Sequence, residues 1–358
     1  MKNVCFFNSE KKWGGGEKWH LKMAVLFTKH NYNVTLVGSA CGELAERAAK
    51  ELINVKKISI KKHSYFNPVT LYKIYRIFKE KKIDTLFMNS SQDLKLCSLP
   101  AKFAGVKNIV YRRGMPHPIK NTFLNRVIFS KVLTHLIVNS KEIEKSIFAN
   151  NNKIISKDKV ILLYNGIDEN DYENTKEKLY EKENSEVIFG NSGRLVEQKG
   201  QNYLINAAKI LKDKGYNFKI LIAGKGKLEE QLKQEIIRYN LEKQVILLGF
   251  VKNVEIFMNS IDVFVFPSHF EGSANAIVEA MYFSKPIVCF DVSSMPELVK
   301  NEENGYLAEY KNIEDFTEKM EKYIKNTELI KKMGDKSKEM SKEFDITEIF
   351  KRLEKKLT

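Results

Sequence analysis

Residues 262–281 read DVFVFPSHFEGSANAIVEAM, and this stretch contains the pattern on which the predicted fold rests. The apolar run after Asp262 predicts a buried strand, and a turn of small residues follows it. Residues 274–283 then have the spacing of a helix. A strand that leads through a short turn into a helix is part of a βαβ unit, from which helix-covered parallel sheets are built.

The same alternation continues on both sides of this stretch. With 358 residues, the chain is long enough that two domains are expected. Strands and helices alternate through residues 1–167 and again through 186–340, whereas residues 168–185 are polar and nearly free of aliphatic side chains, as is typical of a linker. We therefore predict an α/β protein with two doubly wound, Rossmann-like domains. A C-terminal helix over 341–358 is expected to pack back on the first domain.

The positive charge of the chain is concentrated in its N-terminal half. The formal net charge is +15, of which residues 1–180 carry +16 and the remainder −1. Such a basic half suits nucleic acid, anionic lipid or an acidic substrate. A lysine-rich, solvated surface without a partner is the alternative.

The cysteines and the hydropathy pattern bear on the compartment. Four cysteines are scattered without the spacing of a metal site, which indicates a reducing compartment and no structural zinc. The N-terminal apolar run is too short for a signal peptide, and no stretch approaches the roughly 20 apolar residues of a membrane span. We expect a cytoplasmic protein.

Two cations follow the first strand of the second domain, in GNSGRLVEQKG (residues 190–200). Ligands of doubly wound sheets bind outside the carboxyl ends of the strands. Gly193 permits a tight turn there, and Arg194 and Lys199 lie beside the start of the next helix. Fixed cations near helix amides suit a diphosphate, although two ordinary surface cations are the alternative.

Two acids occur in the opening stretch. Glu271 lies in the loop beyond the strand, and the small residues after it would let a ligand approach backbone amides that begin a helix. Glu279 lies inside that helix among apolar neighbours, so we expect it to have polar partners such as the hydroxyls of a ribose. An exposed helical glutamate is the alternative. Gly249 and Phe250 end another strand, where backbone groups can contact a planar base.

Four segments together resemble the donor domain of the retaining GT-B glycosyltransferases of family 4: GRLVEQKG, IAGKG, LLGFV and FPSHFEGSANAIVEAMYFSKPIV. The resemblance covers residues 186–310, and the N-terminal half is similar in layout and in its glycine-rich first loop. It implies two domains that face a central cleft, with an acceptor bound by the first domain and a nucleotide-activated sugar by the second. It also implies sugar transfer with retention of the anomeric configuration.

The resemblance also implies roles for individual residues. Arg194 and Lys199 match the pair that holds the donor diphosphate, Glu279 matches the acid that binds the ribose, and Glu271 matches the acid that contacts the donor sugar. The predicted nucleotide-sugar site comprises Gly14, Gly15, Gly16, Arg194, Lys199, Gly249, Phe250, Glu271, Gly272, Ser273, Ala274, Asn275, Ala276 and Glu279. The family often has other residues where this chain has EGSANA, so the donor sugar stays open; UDP is the expected nucleotide.

The predicted reaction needs positive charge where the nucleoside diphosphate departs. Arg194, Lys199 and helix amides supply it, and because the sequence has no Asp-x-Asp pair we expect a site without metal or other cofactor. The predicted catalytic residues are Glu271, His117, Arg194 and Lys199, with His117 orienting an acceptor hydroxyl. Arg112 and Arg113 are expected to contact an acidic acceptor.

The expected acceptor is a glycan or glycolipid, as in the synthesis of lipopolysaccharide or another surface polysaccharide. The basic segments VKKISIKKH (55–63), FKEKK (78–82) and IKNTFLNRVIFSK (119–131) then predict peripheral binding to an anionic membrane face.

The alternative functions are a nucleotide-sugar epimerase and a nucleic-acid-binding protein. The second of these leaves the paired glutamates unexplained, and we expect no nucleic acid. A nicotinamide enzyme is disfavoured, because Gly224 and Gly226 form only part of a dinucleotide motif.

Overall fold

A computed structural model describes residues 2–60, 64–149, 153–183 and 185–357 of the chain. The chain divides into two compact units. The first unit comprises Met1–Asn165 and Ile349–Thr358, and the second comprises Gly166–Glu348. Lys61, Lys62 and His63, which end the first predicted basic segment, lie outside the described residues.

The first unit contains a seven-stranded sheet in which all neighbouring strands are parallel. Its strands are β1 (Asn3–Asn8), β2 (Asn33–Ser39), β3 (Asn54–Ile58), β4 (Thr85–Met88), β5 (Asn108–Arg113), β6 (His135–Val138) and β7 (Val160–Leu162). The strand order is β3-β2-β1-β4-β5-β6-β7.

Helices lie between these strands along the chain: α1 (Gly15–Lys29), α2 (Glu43–Lys50), α3 (Pro68–Glu80), α4 (Ser91–Ala104), α5 (Phe123–Val127), which continues as a π turn over Ile128–Val132, and α6 (Lys141–Phe148). They cover both faces of the sheet, as alternate residues of β1 show. Cys5 and Phe7 join the core formed with α3 and α4, whereas the Phe6 ring lies 5.9 Å from that of Phe27 on α1.

The second unit contains a six-stranded parallel sheet. Its strands are β8 (Val187–Ser192), β9 (Phe218–Ala223), β10 (Val245–Gly249), β11 (Val263–Phe266), β12 (Ile287–Phe290) and β13 (Gly305–Ala308). The accompanying helices are α7 (Gln201–Asp213), α8 (Glu229–Arg238), α9 (Val254–Asn259), α10 (Asn275–Tyr282), α11 (Met295–Leu298), α12 (Ile313–Lys325) and α13 (Glu328–Ser341), and α14 (Ile346–Leu357) ends the described chain. The predicted fold class, two doubly wound Rossmann-like α/β domains, is confirmed.

The strand order reverses beside the first strand of each sheet. The reversal lies between β1 and β4 in the first unit and between β8 and β11 in the second, where the order is β10-β9-β8-β11-β12-β13. At such a reversal the loops after the two central strands leave in opposite directions and open a crevice at the carboxyl edge of the sheet. The loops after these four strands therefore define where ligands can bind.

The segment predicted to be the linker, residues 168–185, is hydrogen-bonded to the second unit. The Glu173 amide donates to Glu255 at 2.8 Å, and the Leu179 amide donates to the Ser260 hydroxyl at 2.7 Å. The segment therefore lies against α9 through its own backbone amides.

The end of α14 packs within the first unit. Phe350 is buried, and its ring centre lies 4.9 Å from that of Phe27 and 4.4 Å from that of His30. The Tyr32 hydroxyl donates to Glu354 at 2.7 Å. Apolar and polar contacts thus both hold the last helix on α1 and the turn that follows it.

Two ionisable side chains are fully buried near the reversal point of the first sheet. Asp93, in the first turn of α4, accepts a hydrogen bond of 3.0 Å from the Ser9 amide, just after β1. Burial raises the pKa of Asp93 to about 7. Burial, and secondly the positive charge of Arg112, lower the pKa of His20 to about 3. Both shifts oppose formation of a charge in the core.

These shifts make opposite contributions to the pH dependence of stability. Unfolded Asp93 releases its proton near pH 4 and native Asp93 only near pH 7, so its contribution to the free energy of unfolding falls as pH rises between these values. Native His20 stays neutral down to about pH 3, so its contribution rises as pH increases toward 6.5.

Replacing Asp93 should isolate its own contribution to the pH dependence of stability. We expect the free energy of unfolding of Asp93→Asn, minus that of the wild type, to increase with pH from about 4 to 7 by roughly 1.4 kcal/mol per unit of the lost pKa shift. Urea unfolding at stepped pH measures this difference. Glu46→Gln, which removes an exposed acid from α2, is the matched control and should parallel the wild type. A pH-independent difference for Asp93→Asn would contradict the assignment.

Candidate functional site

The loops after β8 and β11 lie against each other at the reversal point of the second sheet. The His269 amide donates to the backbone carbonyl of Gln198 at 2.8 Å. The Gln198 side chain in turn donates to the backbone carbonyl of Phe270 at 2.8 Å. Two loops that are about 70 residues apart in sequence therefore form one continuous surface.

Two of the predicted site residues form an ion pair on this surface. Lys199 Nζ lies 2.7 Å from Glu271 Oε1, and the two side chains are only 16% and 10% exposed. The same carboxylate oxygen accepts a hydrogen bond of 2.5 Å from the Ser268 hydroxyl. Lys199 Nζ also lies 5.0 Å from the centre of the Phe266 ring. The Glu271 carboxylate is thus held by two donors and largely shielded from solvent.

The backbone of Glu271 is fixed by a residue from a third loop. Its amide donates to the Ser293 hydroxyl at 3.2 Å, and that hydroxyl donates to the Glu271 carbonyl at 2.9 Å. Sequence reasoning missed both Ser268 and Ser293. The available signal was their position, since one follows β11 and the other follows β12 at the carboxyl edge of the sheet.

Arg194 lines a cavity of about 280 Å³. The side chain is exposed, and the walls of the cavity come from the ends of β8, β9 and β10 and from α9. The lining residues are Ser192, Gly193, Arg194, Ala223, Gly224, Lys225, Phe250, Val251, Val254 and Phe257. Phe250 is 70% exposed, so a flat aromatic face is available beside glycine backbone.

Close contact between turns shapes this cavity. A Cβ atom at Gly224, where φ is +153°, would overlap the backbone oxygen of Gly193. The Gly224 amide donates to the Gly249 carbonyl at 2.7 Å. The paired glycines at 224 and 226 therefore let neighbouring turns approach closely, as in a tight turn. The predicted site residue Gly249 supports this turn through its carbonyl.

The remaining predicted residues of the second unit lie at the start of α10. This helix begins at Asn275 after Ala274, and no side chain caps its N-terminus. The hydroxyl of Ser273 donates to the Asn275 side chain at 3.1 Å. Gly272, Ser273 and Ala276 are half-buried, and Ala274 is buried. Backbone amides at this turn can donate to an anion.

Glu279 is half-buried on α10. Burial and, secondly, the negative charge of Glu279 raise the pKa of Tyr172, whose ring stacks on Tyr282 with centres 5.1 Å apart. The carboxylate thus lies close enough to the Tyr172 hydroxyl to influence it. Within the described parts of the chain, no group of three or more His, Cys, Asp or Glu side chains could hold a metal ion.

The predicted glycine loop lies at the reversal point of the first sheet. It follows β1, and α1 begins at Gly15 with no side-chain cap. A Cβ atom at Gly16 would overlap the Asn89 side chain, whereas one at Gly15 would have no atom within 4 Å. Asn89 follows β4, so it packs directly against the glycine loop.

Arg112 does not lie where sequence analysis expected it. It is 3% exposed and donates to the side chains of Asn89 at 3.0 Å and Asn165 at 2.7 Å. Its guanidinium lies 4.9 Å from the centre of the Trp19 ring. Burial lowers the pKa of Arg112 to about 10. The expectation that it contacts an acidic acceptor is therefore wrong; Arg112 orients the asparagine that supports the glycine loop.

Two further predicted residues of the first unit are Arg113 and His117. The Arg113 guanidinium donates to the His117 carbonyl, and both residues line a cavity of about 490 Å³ in the first unit. His117 is exposed. The structure thus groups the predicted residues into two sets, one at the carboxyl edge of each sheet.

Comparison with known proteins gives matches to both halves of the chain. Residues 171–340 match the family of glycosyl transferases group 1, and residues 4–157 match the glycosyl transferase 4-like family. An uncharacterized glycosyltransferase of Haemophilus influenzae is 29% identical, with 98% of each chain aligned.

Two further relatives are informative. The N-acetylgalactosamine-N,N'-diacetylbacillosaminyl-diphospho-undecaprenol 4-alpha-N-acetylgalactosaminyltransferase of Campylobacter jejuni is 32% identical over 68% of this chain and 64% of its own length. The crystal structure of Anabaena HepE in complex with UDP and glucose superposes with a TM-score of 0.80 at 20% identity, covering 100% of this chain and 99% of the other. This structural likeness shows the fold.

The two family matches together span most of the chain, and each falls on one of the two parallel sheets described above. The strand-end loops that sequence analysis singled out lie inside these matches. The chain therefore belongs to the GT-B glycosyltransferases.

Proposed function

We propose that this glycosyltransferase moves a sugar from a UDP-sugar to a glycan or glycolipid acceptor of a surface polysaccharide, with retention of configuration and without a metal. The observation that carries the proposal is the cluster of Lys199, Glu271 and Ser268 at the reversal point of the second sheet. HepE, described in complex with UDP and glucose, has the same fold and supports the choice of nucleotide.

The cavity beside Arg194 suits the nucleobase. Its apolar walls and the exposed Phe250 ring can contact the faces of a planar base, and backbone groups after β10 can contact its edge. We assign the ribose hydroxyls to Glu279, because a half-buried carboxylate is stabilised by hydroxyl donors.

The diphosphate is assigned to Arg194, Lys199 and the first amides of α10. Before a donor binds, the Lys199 charge is balanced by Glu271. An incoming diphosphate competes for Lys199 and frees the Glu271 carboxylate to accept hydrogen bonds from the sugar. Donor binding and orientation of the sugar are thereby coupled through a single ion pair.

The reaction follows from this arrangement. The bond between the anomeric carbon and the leaving phosphate oxygen breaks, and a bond to the acceptor oxygen forms on the same face of the sugar. The acceptor proton passes to the departing phosphate. Arg194, Lys199 and the α10 amides stabilise the negative charge that develops on the UDP. In the first unit, the exposed His117 is assigned to orient the acceptor hydroxyl.

We also propose that the first unit binds an anionic membrane face, with the enzyme acting from the cytoplasm. Phe66, Val69 and Tyr72 are 60–73% exposed at the start of α3, and Lys73 is exposed on the same helix. A groove of about 530 Å³ between β3 and α3 is lined by Lys56, Lys57 and Lys73, among others. Exposed apolar and basic side chains side by side suit an anionic lipid surface. None of the described helices is both long and apolar enough to cross a membrane.

The donor-site assignment predicts separable effects for the two members of the ion pair. UDP at about one hundred times its dissociation constant should stabilise the wild type by roughly 2.7 kcal/mol. Lys199→Gln should abolish this stabilisation, since it removes a diphosphate ligand. Glu271→Gln should retain it but lower kcat by about 100-fold, because the sugar loses the negatively charged oxygen that accepts its hydrogen bonds. Thermal shift and donor turnover measure the two effects.

The controls separate loss of the ligand site from loss of structure. Lys209→Gln, which removes an exposed cation from α7, should behave like the wild type. The double variant Lys199→Gln/Glu271→Gln leaves no unpaired buried charge, so it should regain stability without regaining UDP binding. A normal UDP response in Lys199→Gln, or a response to GDP or ADP in place of UDP, would refute the assignment.

The membrane assignment predicts salt-sensitive binding to anionic vesicles. At about 1 kcal/mol for each basic residue near the surface, Lys56→Gln/Lys57→Gln should weaken the partition of the protein into phosphatidylglycerol vesicles by roughly 30-fold. Flotation at low and high salt measures this partition. Lys209→Gln/Lys212→Gln, on α7 of the second unit, is the charge-matched control. Absence of flotation at low salt would exclude membrane binding through this face.

A further inference from the structure

Of the two cavities described above at the carboxyl edges of the sheets, the larger belongs to the first unit. It has a volume of about 490 Å³ and lies between the ends of β4 and β5, the start of α4, and the chain from Gly114 to Asn125. Its apolar part is formed by Leu94, Tyr111, Ile119 and Phe129. The Tyr111 and Phe129 rings meet edge to face, with centres 6.1 Å apart, so this wall is well packed.

The polar part of the lining is positively charged. It contains Lys95, Arg113 and Lys120 together with His117, and no aspartate or glutamate lines the cavity within the described chain. Asn89, Ser90 and Ser91 add hydrogen-bonding groups. Three cations that share one cavity repel each other, so an arrangement without a lining acid is expected where an anion binds.

Arg113 is held in place inside this lining. Its guanidinium donates to the His117 carbonyl. The side chain is half-buried. A guanidinium carries several N–H donors, so those that do not bond to the His117 carbonyl can donate to a ligand with several acceptor oxygens.

The surroundings of the cavity indicate what such a ligand is attached to. Met115, at the cavity, is 50% exposed, and Phe123, in the same stretch of chain, is 76% exposed. A neutral glycan needs neither three cations nor exposed apolar side chains nearby. A phosphate ester of a hydrocarbon chain uses both, since its oxygens pair with the cations and its chain contacts the apolar groups.

We propose that this cavity binds the phosphate or diphosphate group of a lipid-linked acceptor, with Arg113, Lys95 and Lys120 as its ligands. The proposal rests on the proposed function, because it specifies the acceptor class of the same reaction. Its three cations belong to the first unit, whereas the cations assigned to the donor diphosphate belong to the second.

The test uses geranyl diphosphate, inorganic pyrophosphate and geraniol as probes of the full chain saturated with UDP. Calorimetric titration should show the tightest binding for geranyl diphosphate, weaker binding for pyrophosphate and none for geraniol. Arg113→Gln/Lys120→Gln should weaken binding of geranyl diphosphate by about ten-fold or more, as expected for lost charge-assisted hydrogen bonds. Equal binding of pyrophosphate and geranyl diphosphate would refute a lipid-linked ligand.

Two further variants keep the test decisive. Lys95→Gln/Lys120→Gln leaves the Arg113 contact with the loop intact and should still weaken binding, whereas Lys29→Gln/Lys50→Gln, at the ends of α1 and α2, should not. The UDP-dependent thermal shift should be normal in all of them; its absence in the wild type would refute the donor assignment, not this one. Unchanged binding of geranyl diphosphate in both cavity variants would overturn the proposal.

Discussion

The ion pair between Lys199 and Glu271 joins two loops that only the reversal of strand order brings together. These residues are 72 positions apart, and they meet because β8 and β11 are neighbours in the sheet. Each side chain is largely shielded, so loss of either partner would leave a poorly solvated charge. The proposed donor site is thus built on a contact that also stabilises the crevice.

Close approach between backbone segments determines the shape of both sites, in addition to the charges that line them. Gly224 lies against the Gly193 carbonyl, which brings the ends of β8 and β9 together around the smaller cavity. Gly16 lies against the side chain of Asn89, which accepts a hydrogen bond from Arg112. In each unit a glycine at the carboxyl edge of the sheet therefore lets neighbouring loops approach without an intervening side chain.

The fold class and the main acids could be predicted because each depends on local pattern. Strands and helices alternate with the expected periods, and Glu271 and Glu279 occur at fixed distances from the end of β11. The burial of Arg112 could not be predicted in the same way, since its partners Asn89 and Asn165 come from loops 23 and 53 positions away. The contact of the predicted linker with α9 likewise depends on long-range hydrogen bonds that composition does not encode.

The cations of the two proposed sites differ in whether an acidic side chain neutralises their charge, and this difference bears on their roles. Lys199 has Glu271 as a counter-charge, so binding of a diphosphate must break an existing pair and yields less net free energy. Under the proposed function the site releases UDP after each turnover, and such moderate affinity favours that release. The cations of the larger cavity have no acid among the described lining residues, so an anion bound there displaces no internal partner. On electrostatic grounds, the cavity of the first unit suits a substrate that stays bound while its hydroxyl reacts. The site of Lys199 suits a nucleotide that is exchanged after each reaction.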